Sequence, residues 1–200
     1  MKYLRKDQIP VFGVNVIALA IFSILFFSRK NYEFIMYIAV IIVFLLLLLF
    51  SNPKVNYSNG VLWGLTAWAI LHMAGGGLYI GEKKFYGLMI LPLVGDPYFI
   101  LRYDQVVHFI GFWVATIVMW QVLLPHLKEK TSKKFSITLV VVMAGLGLGA
   151  LNEIVEFAAT VIVPDTGVGG YTNTALDLVF DFFGCIGAAV YLKTKKFSSA

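Results

Sequence analysis

The chain has 200 residues, 60% of them hydrophobic and 14% charged, with 17 Phe, 10 Tyr and 4 Trp, and a mean hydropathy of +0.84. Such a composition excludes an ordinary soluble domain and marks an integral membrane protein. The net charge of +5 and pI near 9.2 are read as basic loops that set membrane orientation, not as a nucleic-acid interface, and the single cysteine, Cys185, excludes an intramolecular disulfide.

A basic start, Met1-Lys2-Tyr3-Leu4-Arg5-Lys6, precedes a first span over about 9–27. Ala18-Leu19-Ala20 imitates a signal-peptide cleavage site, but the apolar run continues past it, which predicts an uncleaved first helix. Arg29-Lys30-Asn31-Tyr32-Glu33 turns the chain into a second span over about 34–50, which contains the leucines at 45–49 and no polar group and reads as a whole as lipid-facing scaffold. Ser51-Asn52-Pro53-Lys54 is predicted to break that helix. A third span over about 61–77 ends in Leu71-His72-Met73-Ala74-Gly75-Gly76-Gly77, whose glycines end or loosen it. The connection 78–102 contains an apolar segment, 88–94, too short to cross, which is expected to lie in the interface or dip back toward the polar residues of the spans.

A fourth span over about 103–124, a basic loop over 125–134, a fifth span over about 135–163, a glycine-bearing loop over 164–174 and a sixth span over about 175–192 follow. In the fifth, Ala144-Gly145-Leu146-Gly147-Leu148-Gly149-Ala150 lets another helix approach closely. It fails as a phosphate cradle, because it follows no strand. The reading is an all-α, single-domain polytopic bundle of about six transmembrane helices. With eleven Lys and Arg on the side that holds both termini against five on the other, both ends are expected in the cytoplasm of a cell whose inner membrane the protein spans.

Ionisable side chains inside such spans cost several kcal/mol unless something compensates them. Glu153 and Glu156 share one face of the fifth span, with Asn152 beside them. Asp104 and His108 on the fourth span are i and i+4, as are Asp177 and Asp181 on the sixth, and His72 lies near the end of the third. At 1.5 Å per residue these seven groups fall within roughly 15 Å of the outer membrane edge. No Lys or Arg in the same spans neutralises the carboxylates, so they must share protons, meet water or hold cations. A mixed His and carboxylate set suits Zn²⁺, Fe or Mn, and the excess of carboxylates permits two ions.

The expected metal ligands are His72, His108, Glu153, Glu156, Asp177 and Asp181, and the expected catalytic groups Asp104, His108, Glu153 and Glu156, with Asp104 or Glu156 taking a proton from metal-activated water. Structural alternatives stand beside each assignment. His72 would serve as a packing histidine or cap a broken helix, Asp104 and Asp177 as helix caps, and the deeper groups as a polar clamp between helices. His126, Glu129, Glu82 and Asp165 read as solvated loop residues, and Arg102 as a partner for Asp104 or for an anionic headgroup.

Leu71-His72-Met73-Ala74-Gly75-Gly76, Tyr103-Asp104-Gln105-Val106-Val107-His108-Phe109, Asn152-Glu153-Ile154-Val155-Glu156, and Tyr171-Thr172-Asn173-Thr174-Ala175-Leu176-Asp177 with Asp181 and Gly184 resemble the YjdF-like family of prokaryotic inner-membrane proteins. More distantly, the last three blocks are similar to the VanZ-like family, with Gln105, Glu156 and Asp181 standing where that family has Lys, Gln and Asn. The YjdF-like resemblance implies the site without implying a substrate. The leading functional expectation is a metal-dependent membrane hydrolase or transferase that acts on a lipid-linked or amphipathic substrate, with membrane lipids as its partners. The alternatives are a proton-coupled transporter and a scaffold whose acids form an interhelical clamp. For transport, the inner halves of the spans offer Asn15, Ser23, Thr66 and Thr138 but no ionisable group.

Overall fold

A computed structural model describes residues 3–127 and 135–194. Six helices make up the body: α1 Ile9–Ser28, α2 Tyr32–Val55, α3 Asn59–Gly77, α4 Tyr103–Leu123, α5 Phe135–Ile162 and α6 Tyr171–Thr194. Each start has a local cause. Pro10 occupies the first turn of α1, where a missing N–H costs nothing. The Asn31 side chain accepts from Phe34 N at 3.2 Å to cap α2, Ser58 caps α3, and the Gln105 side chain reaches back to accept from Arg102 N at 3.0 Å before α4.

Five stretches are long and apolar enough to cross a membrane: Lys6–Ser28, Tyr32–Val55, Tyr103–His126, Phe135–Ile162 and Tyr171–Thr194. The less apolar α3 packs against α4 and α1, and its buried face includes Thr66, Ala69, Met73 and all three terminal glycines. The tightest helix pair is α4 with α6. There a side chain at Gly184 would run into the backbone of Phe109, so glycine permits the approach. On α5, Gly145 faces Thr116 and Cys185 and Gly149 faces the Asp181 carboxylate, while Gly147 looks into open space. The glycine pattern in α5 therefore serves helix contact on one face only.

Three expectations change. Helix α2 does not break at Ser51-Asn52-Pro53-Lys54 but runs to Val55 with Pro53 inside it, and ends at Asn56 in the left-handed conformation, φ 57°. Pro53 removes one intrahelical bond, yet Asn52 is buried and fully engaged. Its Nδ2 donates to Gln8 Oε1 at 2.7 Å and to Tyr3 O at 2.8 Å, and its Oδ1 accepts from Tyr57 N at 3.1 Å. That network ties the turn to the chain start. The sixth helix begins at Tyr171, four residues before the expected 175, which makes Asn173 a helical residue.

The connection 78–102 forms two small antiparallel hairpins: β1 Tyr79–Ile80 with β2 Lys83–Lys84, and β3 Met89–Val94 with β4 Ile100–Arg102. A short turn at Phe85–Gly87 joins them. The expected interfacial segment is thus strand β3, which exposes Ile90, Leu91, Leu93 and Val94. Extended structure wins because Pro92 cannot continue a helix and β4 supplies the strand partner. Of the basic loop expected over 125–134, residues 128–134, with Glu129, lie outside the described residues.

Candidate functional site

At one end of the bundle, α4, α5 and α6 converge on His108. Its Nδ1 lies 2.9 Å from Asp181 Oδ1, and its Nε2 lies 3.8 Å from Asp104 Oδ1 and 4.0 Å from Glu156 Oε1. Single ligand atoms of Asp104, His108 and Asp177 fall within 4.8 Å of one another, and so do those of His108, Glu153 and Asp181. The two sets share the imidazole. Asp181, Asp177, His108 and Glu153 are buried, while Asp104 and Glu156 are half-buried toward the mouth.

Two amides organise the ring of acids. Asn152 Nδ2 donates to Glu156 Oε1 at 3.0 Å, one helical turn along α5. Asn173 Nδ2 donates to Asp104 Oδ2 at 3.4 Å and also to Asp177 Oδ2, which links α6 to α4. Four carboxylate oxygens remain buried without a hydrogen-bond donor: both of Glu153, Oδ1 of Asp177 and Oδ2 of Asp181. Unpaired, desolvated carboxylate oxygens are costly and call for a proton or a cation.

The helix-capping alternatives do not describe these residues. Gln105 makes the backbone contact at the start of α4, and Asp177 lies in the second turn of α6. The expected ligand His72 joins neither set. Its ring is surrounded by Phe34, Tyr37, Trp68 and Tyr86, at centroid distances from 5.5 Å for Tyr37 and Trp68 to 5.8 Å for Tyr86, and its Nδ1 meets Tyr86 Oη at 2.5 Å. Arg102 lies over the Phe99 ring at 4.9 Å. Glu156 belongs to neither four-ångström-scale ligand set and stands at the cavity beside them.

That cavity, about 50 Å³, is lined by His72, Asp104, Glu156 and Asn173, and by residues that the sequence left in turns or scaffold, namely Glu33, Tyr37, Lys84 and Tyr86. Glu33 is buried and accepts from Gly167 N at 2.7 Å, which pins the α5–α6 loop to the start of α2. Tyr86 arrives from the hairpin connection, and burial lifts its phenol well above the usual value, with the charges of Asp104 and Glu156 adding to the effect. The signal for these contacts was Gly75-Gly76. A side chain at Gly75 would strike the Tyr86 ring, and one at Gly76 the Phe34 ring.

Membrane-length helices that enclose one buried histidine in a ring of carboxylates define a multi-pass membrane protein with a His/carboxylate cluster. The chain belongs to the DUF2238 family of predicted membrane proteins, whose family model matches residues 11–196. It is also similar to an uncharacterised protein of Thermotoga maritima, 33% identical over 98 residues, a match that covers 48% of this chain and 50% of the relative. The chain thus spans about half the length of that relative. No solved structure matches it.

Proposed function

We propose that the protein is a metal-dependent membrane enzyme, a hydrolase or transferase that works on a lipid-linked or amphipathic substrate at the outer leaflet of the inner membrane, with both termini in the cytoplasm. The observation that carries this reading is the group of donorless oxygens of Glu153, Asp177 and Asp181 around His108. Among the described residues no Lys or Arg forms an ion pair with them. Their chemistry fits a divalent cation of the Zn²⁺, Fe or Mn type. His108, Glu153 and Asp181 would hold one ion, and Asp104 and Asp177 would hold another if two bind. When bound, such an ion supplies Lewis-acid polarisation of water or substrate.

The protein's own groups then divide the remaining work. Glu156, oriented by Asn152, is the proton acceptor at the cavity wall. Asn173 keeps Asp104 and Asp177 in register, and Tyr86 with His72 closes the cavity opposite the acids. The YjdF-like resemblance supports the same residues, since its blocks contain all of them except Tyr86. The VanZ-like likeness reaches only the last three blocks and adds no substrate. Proton transport is the weaker reading, because the space beneath the cluster is walled by apolar side chains, with Asn15 and Asn152 its polar members.

Elemental analysis of purified protein tests the proposal. Stoichiometric transition metal is expected in the wild type and is expected to be lost in the Glu153→Gln, Asp181→Asn double variant. Metal-free wild-type protein that binds no added Zn²⁺, Fe²⁺ or Mn²⁺ would sink it.

A further inference from the structure

A second cavity, about 150 Å³ and apolar, lies directly beneath the acid cluster. Its position follows from residue order on four helices. Along α4, Asp104 and His108 are followed by Gly111 and Ala115. Along α3, His72 is preceded by Ala69 and Leu65; along α2, Glu33 and Tyr37 are followed by Phe44. Along α5, Glu156 is preceded by Asn152 and Leu148. The same helices thus build a polar chamber and then, one to two turns further in, an apolar one. The lining from Gly111 to Val118 runs about 10 Å at 1.5 Å per residue.

Two features make this more than loose packing. Phe44 on α2 and Leu151 on α5 line the cavity while remaining 38% and 43% exposed, so it opens sideways between those helices, toward lipid. Its polar members are spoken for. Asn15 Nδ2 donates to Val11 O at 2.8 Å and Thr66 Oγ1 at 2.6 Å, and Asn152 turns its Nδ2 to Glu156. Asn152 therefore sits on the partition between the chambers, reaching the acids on one side while its stem faces the apolar side.

We infer that the apolar chamber binds one hydrocarbon chain of an amphiphile, which enters between α2 and α5, places its polar end among the acids at Asn152 and runs its chain toward the opposite end of the bundle. The inference rests on the enzyme reading only for the fate of the polar end. At this depth the surroundings are hydrocarbon, so a polar solute would lose its hydrogen bonds on entry while an alkyl chain would lose nothing. The substrate class is then a single-chain amphiphile, with the reacting group at the chain's end.

The test uses the full-length protein in nanodiscs, with two photoreactive probes: palmitate carrying a mid-chain diazirine, and a diazirine-bearing isoprenoid alcohol. Mass-spectrometric mapping is expected to place adducts of one probe on Leu65 and Val118 at least tenfold above the lipid-facing Ile17 and Ile24, distinguishing acyl from isoprenoid chains. Ala115→Trp, which fills the chamber, is expected to lower the Leu65 and Val118 signal at least tenfold with metal content unchanged, whereas Leu139→Trp on the exposed face of α5 leaves it intact. Because the Ala115 variant risks misfolding, unlabelled chain is also titrated into wild type, and it should suppress the chamber adducts alone. Adducts distributed evenly over all four positions, or chamber adducts that resist competition, overturn the inference. Chamber labelling in protein that binds no metal keeps the lipid site and removes the enzyme reading; metal without chamber labelling does the reverse.

Discussion

The two ends of the bundle solve the same problem with opposite chemistry. Where the chain begins, Gln8, Asn52 and the Tyr57 backbone form a neutral amide knot: Gln8 Nε2 donates to Tyr57 O at 2.9 Å, and Asn52 bonds Gln8, Tyr3 O and Tyr57 N. Asn52 and Gln8 are buried, and neither leaves a side-chain atom unpartnered. At the site end, carboxylates of equal burial leave four oxygens without donors. Amides that satisfy one another already suffice to tie helices together here, at a net gain of about 1 kcal/mol per bond. The carboxylates thus exceed what a structural clamp needs, and the difference points to something the acids hold.

The largest effect is expected at His108. His108→Leu leaves Asp181 buried without its partner, and chemical denaturation should show a loss of about 3–5 kcal/mol, with metal content falling to background. If the variant keeps full stability, the histidine is not the hub. Asn52→Ala probes the other end. It removes the partners of Tyr57 N and Tyr3 O, so a loss of about 1–3 kcal/mol is expected, with metal binding as in wild type; a joint loss of metal would mean the ends are not independent.

Gly149→Ala sharpens the contrast inside one helix. The added methyl meets the Asp181 carboxylate, so a cost of about 1–3 kcal/mol and weakened metal affinity are expected. Gly147→Ala, which has open space, should match wild type in both thermal midpoint and titrated affinity. Tyr86→Phe, which removes one hydrogen bond to His72, should cost about 1 kcal/mol. It also predicts a pH dependence. The folded phenol ionises above its usual value, so its stabilising contribution is complete below about pH 10 and is lost as pH rises through the folded-state value. Wild-type midpoints should therefore run parallel to those of Tyr86→Phe below about pH 10 and fall more steeply above it, and curves that stay parallel above it would contradict the buried phenol.

The residue pattern alone settled the membrane class, the positions of the long helices and the pairing of acids on common faces, because hydropathy and a 3.6-residue period are local properties. Asp104 with His108 and Asp177 with Asp181 were legible from four-residue spacing, and the α5 glycines from their small size. Contacts between distant segments were not legible. Glu33 accepting from Gly167 and Asn52 donating to Gln8 as α2 runs through Pro53 each join groups many residues apart whose local sequence carries no sign of the partner, and the Tyr86 contact with His72 left only the small residues Gly75-Gly76 as its trace. Tertiary packing also put His72 across the cavity from Asp104 and Glu156 and outside both ligand sets, because depth specifies a level along the helix axis and leaves the direction of each side chain to the way the helices rotate against one another.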